Sequence, residues 1–177
     1  RCSANSGDQN AAQRRAVRGL VKVTQISEMD EVLRKAADLA TARANATNGD
    51  HLEYGSPDDN EKALFEIIRE VCGSHFDVDS VRHVGGHKFP DIVFENSKFG
   101  VEIKTAQKGW SCLGNSVMAS TLVDGVTEVY LLFGSGERDF SARYAKYEDC
   151  VKSVEVTHSP RYVLDMDVIT GGSYLDQ

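Results

Sequence analysis

The strongest constraint on this chain lies between Phe89 and Thr105. There Phe89-Pro90-Asp91-Ile92-Val93-Phe94 and Gly100-Val101-Glu102-Ile103-Lys104-Thr105 flank a short polar break at Asn96-Ser97-Lys98. Two apolar-patterned segments joined by a turn-like stretch predict a pair of adjacent antiparallel strands. Side chains alternate along a strand, so Glu102 and Lys104 share one face while Val101 and Ile103 take the other. Asp91 follows Pro90 at the mouth of the first strand, where antiparallel pairing delivers its carboxylate beside Glu102. Two carboxylates and one amine therefore converge. Oxygen ligands of this kind suit Mg²⁺, with Mn²⁺ as a substitute, and a neighbouring lysine can orient a water or offset charge on an oxyanion.

Pro90-Asp91, ten intervening residues, then Glu102-Ile103-Lys104 resembles the signature of the PD-(D/E)xK nuclease superfamily, which holds most type II restriction endonucleases. The resemblance implies Asp91, Glu102 and Lys104 as catalytic residues, with Asp91 and Glu102 as metal ligands. It also implies a Mg²⁺-dependent endonuclease that hydrolyses phosphodiester bonds of double-stranded DNA. A repair or recombination nuclease of the same superfamily, and a non-catalytic DNA-binding or interaction module on the same fold, are the alternatives. A serine or cysteine hydrolase has no support, because no Gly-x-Ser-x-Gly elbow occurs and neither Cys112 nor Cys150 has an evident histidine partner.

The order of elements extends the likeness over 57–134. Ser56, with Pro57 in the first helical position and Asp58, Asp59 and Glu61 at the positive end of the dipole, starts a helix that stops at Gly73. Leu64, Ile67, Ile68 and Val71 form its buried face. A strand around Phe76 to Val84, a Gly85-Gly86 break and the two motif strands follow. Asn115 to Asp124 then reads as a short helix with Val117, Met118, Thr121 and Leu122 inward, before the apolar run from Val126 to Phe133. A continuous apolar run marks a strand covered on both faces. The expected fold is thus α/β (α+β), a restriction-endonuclease-like αβββαβ core whose mixed central sheet is flanked by helices. Beyond it, Phe140 to Cys150 looks helical, Val154 to Val156 is a short strand, and another strand runs through Ile169.

The 177 residues fit one compact unit. Within it, 1–56 reads as an N-terminal accessory segment and 57–177 as the nuclease domain with its C-terminal extension. Residues 1–26 are polar, with Arg14, Arg15, Arg18 and Lys22. Ser27 opens an amphipathic helix to Ala46 whose Val32, Leu33, Ala36, Ala37, Leu39 and Ala40 form an alanine-rich stripe. That helix is expected to lie at the periphery, and its stripe is the candidate surface for a homodimer. One site cuts one strand, so two-fold symmetry would present two sites to a palindromic target.

The formal net charge of −7 opposes DNA binding, which rests on lysine and arginine displacing counterions. Local charge is what counts, and Lys88, Lys98, Lys104 and Lys108 gather around the motif. The DNA contacts expected are Lys108, then Asn115 and Ser116 at the N-terminus of the short helix, and Arg161 before the last strand. Asn115 and Ser116 serve equally as caps of that helix. In the resembling superfamily a helix at 56–73 often lends a further acid, for which Glu70 is the candidate, with Glu66 beside it. No run of about 18 apolar residues is present, so no membrane partner is expected. Cys2, Cys72, Cys112 and Cys150 form no Cys-x-x-Cys pair, and no secretory leader is seen. Both point to a reducing cytoplasm.

Overall fold

The computed structural model describes residues 28–46, 57–85, 88–95, 98–117, 121–136, 139–168 and 171–176. Several expectations lie outside the described residues: the polar segment 1–26, the caps at Ser27 and Ser56, the turn at Asn96-Ser97, Gly86, Met118, Ile169 and Cys2. Helix α1 covers 28–46 and α2 spans Pro57–Cys72. Eight strands follow among the described residues: β1 Val81–His83, β2 Ile92–Phe94, β3 Phe99–Ala106, β4 Ser111–Ser116, β5 Glu128–Ser135, β6 Ser141–Lys146, β7 Val151–Val156 and β8 Pro160–Asp165.

These strands form two sheets. The larger has the order β1-β2-β3-β5-β6 and the smaller β4-β8-β7. In the larger sheet β3 and β5 run parallel and the other neighbours antiparallel, so it is mixed. A parallel pair needs a crossover, and this one passes through β4, which belongs to the second sheet.

Strand alternation explains the layering. Val101 and Ile103 of β3 and Tyr130 and Leu132 of β5 pack with α1 and α2 in one apolar core. Leu131 and Phe133, one position out of phase on β5, pack instead with Val151 and Leu164 of the small sheet, and Cys112 of β4 rests against them. Helices therefore cover one face of the mixed sheet and the second sheet covers the other. Burial on both sides is why β5 reads as an unbroken apolar run.

Three elements differ from the sequence expectation. The helix expected at Asn115–Asp124 is absent among the described residues: 111–116 is strand β4, and 121–127 is irregular apart from a bridge between Phe89 and Leu122. The helix expected at Phe140–Cys150 is strand β6 followed by a single 3-10 turn at Glu148–Cys150. Phe140, Ala142 and Tyr144 reach the helix-side core while Ala145 packs on the other, a period of two. Finally, α1 is not peripheral. Met29, Val32, Leu33, Ala36, Ala37, Ala40 and Ala44 are all at most 4% exposed, so its alanine stripe is consumed inside the chain and is no longer a homodimer surface. Small side chains there let α1 lie close to the sheet, and Thr41 Oγ1 accepts the Ala142 N–H at 2.9 Å. Among the described residues no helix is long and apolar enough to cross a membrane.

Candidate active site

The register of β2 and β3 builds the site. Ile92 faces Val101 and Val93 faces Gly100; extending that ladder by one residue sets Asp91 opposite Glu102. Pro90 seats over Gly100, where a Cβ would come within 2.2 Å of the proline ring. Asp91 then turns its carboxylate into the ladder, and its Oδ2 accepts the Ile103 N–H at 2.7 Å. A side chain thus takes a bond that a strand carbonyl would otherwise accept, which fixes the carboxylate's position.

Glu102 projects away from the helices, into the space between the two sheets, and is only 2% exposed. Its Oε1 accepts from Lys104 Nζ at 2.5 Å, and the same ammonium donates to the Ile103 carbonyl at 3.2 Å. Glu102 Oε2 is buried and meets no hydrogen-bond donor among the described residues. Asp91 and Glu102 lie near enough for each to alter the other's ionisation, and a proton between them would serve both. As two carboxylates they offer each other acceptors only. One proton or one cation in that gap satisfies the buried oxygen and cancels the repulsion.

The electrostatics follow from burial. Loss of solvent, opposed by Lys104 and reinforced by Asp91, raises the Glu102 carboxyl to about 7. Asp91 is also raised, first by burial, against the charge of Lys104 and the Ile103 N–H, with Glu61 adding to the rise. For Lys104, burial pulls the ammonium down, but the Glu102 and Asp91 carboxylates outweigh it and hold its pKa above the ordinary lysine value.

Glu61 is the residue that sequence reasoning missed. It lies in the first part of α2, pairs with His83 of β1, and its charge reaches Asp91. Glu70, the accessory acid expected from the sequence, lies nine residues further along α2, about 13 Å along a helix axis, and pairs with Arg43 of α1 at 2.8 Å. Glu66 is exposed beside Arg69. The signal that separates them is position: the N-terminal turn of α2 lies against the ends of β1 and β2, where Val84 N–H donates to the Asp91 carbonyl at 2.7 Å.

The expected DNA contacts are spread over the second sheet and its entry turn. Lys108 is exposed in the turn between β3 and β4. Asn115 and Ser116 sit in strand β4, not at a helix N-terminus, and so offer no helix-end site for an anion. The Asn115 N–H donates to the Tyr147 hydroxyl at 3.1 Å, and its side-chain nitrogen is buried without an acceptor. Arg161 is in β8, paired across from Ser116, and its Nε donates to the Gly114 carbonyl at 2.9 Å. Gly114 is required there, because a Cβ would come within 2.4 Å of the Tyr147 hydroxyl. Cys112, half-buried on β4, feels both Lys104 and Glu102; burial drives its thiol up to about 11, an inert thiol rather than a nucleophile.

Could the residues present hold a metal? Asp91 and Glu102 supply two hard carboxylates and one buried oxygen without a donor, which fits Mg²⁺ or Mn²⁺. Two acids do not enclose an ion, and among the described residues no set of three histidine, cysteine or acidic side chains is close enough to do so. The remaining ligands would be water, backbone carbonyl or substrate oxygen, the usual pattern for Mg²⁺ bound through one or two carboxylates. Comparison with protein-family models, curated proteins and solved structures returns no match.

Proposed function

We propose that the chain is a divalent-metal-dependent nuclease that hydrolyses phosphodiester bonds of double-stranded DNA. In this reading Asp91 and Glu102 hold Mg²⁺ and Lys104 acts at the reacting phosphate. The observation that carries it is buried Glu102 facing half-buried Asp91 across β2 and β3, with one Glu102 oxygen bonded to Lys104 and the other without a donor. A purely structural acid–lysine pair would need only one carboxylate, and enclosing a second raises the cost of both. The DNA substrate and restriction-type action rest on the resemblance of Pro90-Asp91 and Glu102-Ile103-Lys104 to the PD-(D/E)xK pattern.

A bound Mg²⁺ supplies Lewis acidity toward a phosphoryl oxygen and toward a water. The chain's own groups do the positioning. Asp91 is locked by the Ile103 N–H on Oδ2, which fixes the direction of its other oxygen. Glu102 lies on a rigid central strand between two sheets, and it binds a cation only as the carboxylate, which its raised pKa places at neutral pH and above. Lys104 stays protonated, a quarter of its side chain exposed, and its ammonium stands ready to neutralise charge on the phosphate as the bond breaks. Exposed Lys88, Lys98 and Lys108 provide the surrounding positive field for the backbone.

The test is incubation of the chelator-treated protein with plasmid and linear DNA, with and without restored Mg²⁺, followed by mapping of the ends. Discrete fragments with Mg²⁺ support a site-specific nuclease, and a smear supports the repair or non-specific alternative. Uncut DNA under every metal condition removes the nuclease reading.

A further inference from the structure

One pleat along the sheet from Glu102 there is a hollow of about 200 Å³. Glu102 pairs with Leu131, and the neighbouring same-face pair is Gly100 with Val129. Tyr147 joins that row, its N–H donating to the Val129 carbonyl at 2.9 Å. Two residues along a strand are about 7 Å, so the hollow lies one such step from the Glu102 row, with the Pro90 ring seated over Gly100 at the near end. Tyr147 lines the hollow, and its hydroxyl accepts the Asn115 N–H of the second sheet at 3.1 Å. Phe89, two residues before Asp91, forms a second wall, with Leu122 and Val126 closing the third.

We propose that this hollow receives a single unstacked nucleobase of the strand whose phosphate lies at Asp91 and Glu102, a proposal that rests on the nuclease reading. Size favours one planar ring system, since the space is smaller than the roughly 300–1,000 Å³ of sites for drug-sized ligands. Chemistry favours an aromatic one. The Phe89 and Tyr147 rings meet at 5.0 Å with planes 65° apart, an edge-to-face corner that offers a π face to a flat ligand. The wall is also fixed before any ligand arrives: Phe89 N–H donates to the Thr121 carbonyl at 3.0 Å, and Val123 N–H to the Phe89 carbonyl at 2.8 Å. Enzymes that do chemistry on a base rotate the nucleotide out of the stack into such a pocket, and the same rotation would seat a base in this one.

The experiment titrates 5′-GMP and 5′-AMP, with Ca²⁺ in place of Mg²⁺, into the full chain and follows the methyl resonances of Val126 and Val129. Ribose 5-phosphate is the control, and Leu122→Trp is the variant. Leu122 is 46% exposed, so the indole fills the hollow without disturbing the core. Saturable shifts with the mononucleotides alone, lost in Leu122→Trp, are the expected result. No shifts, equal shifts with ribose 5-phosphate, or shifts unchanged in Leu122→Trp overturn the base pocket. Plasmid cleavage by the same wild-type sample is scored separately: cleavage without shifts sinks only the pocket, and shifts without cleavage support a base site while removing the nuclease reading.

Discussion

The two faces of β3 are buried to the same degree and at opposite cost. Toward the helices, Val101 is 0% and Ile103 5% exposed; toward the second sheet, Glu102 is 2% exposed. The first face gains from every methyl removed from water. The second holds a carboxylate that water would solvate far better, beside another carboxylate that repels it. A strand selected for stability alone would carry an apolar residue at 102, as at 101 and 103. Keeping Glu102 in that position sacrifices stability for a charge held at a fixed place, the exchange expected of a reacting site.

Substitutions on the two faces should therefore fail in opposite ways. The largest expected effect is on cleavage: Asp91→Ala and Glu102→Gln abolish it in a Mg²⁺-restored plasmid assay while the circular dichroism spectrum stays native. Near-wild-type cutting by either would place the chemistry elsewhere. On the other face, Ile103→Ala should cost about 2–5 kcal/mol in urea unfolding, the range for emptying a buried aliphatic site. Its cleavage rate should persist under conditions where it remains folded. A similar loss of cleavage without a loss of stability would erase the distinction between the faces.

Lys104→Ala should slow cleavage by roughly 10²-fold or more, the scale of a lost electrostatic or acid–base partner. It should also weaken the protein, because Glu102 loses its bonded cation. The smallest effect belongs to Lys98→Ala, exposed on the turn before β3, with cleavage close to wild type at moderate salt. Equal losses for the two lysines, compared in single-turnover rates, would mean that the general positive field acts and not a particular ammonium.

Much of this site was legible because it is local. Alternation from Val101 to Lys104 fixes which face each side chain takes, and the pairing of Ile92 with Val101 brings Asp91 opposite Glu102. Pro57 and Gly73 bracket α2 for equally local reasons. The misread elements depend on distant partners. At 111–116, Gly114 and Asn115 are poor strand formers, and only the distant Tyr147 explains them, by demanding the missing Cβ and accepting the Asn115 N–H. From Ser141 to Lys146 the alanine, arginine and lysine content suggests a helix, whereas Phe140, Ala142 and Tyr144 facing α1 impose the period of a strand. Propensity yielded to packing there. Glu61 was overlooked for the same reason, since only the seating of α2 against β1 and β2 decides which of its acids meets Asp91.

If Glu102 is held as a charge at the expense of the fold until a cation arrives, thermal unfolding should show both the cost and its relief. The folded pKa of Glu102 is raised from 4.5 to about 7, so the folded state holds this proton more tightly than the unfolded chain. Its contribution to stability is therefore full below pH 4.5 and lost as pH climbs through 7, a loss of about 3 kcal/mol at ~1.4 kcal/mol per unit. At pH 8 in chelator, Glu102→Gln should unfold at a higher temperature than wild type. Titrated Mg²⁺ should then raise the wild-type midpoint and leave Glu102→Gln unmoved. Equal midpoints in chelator together with the same response to Mg²⁺ in both proteins would contradict the account.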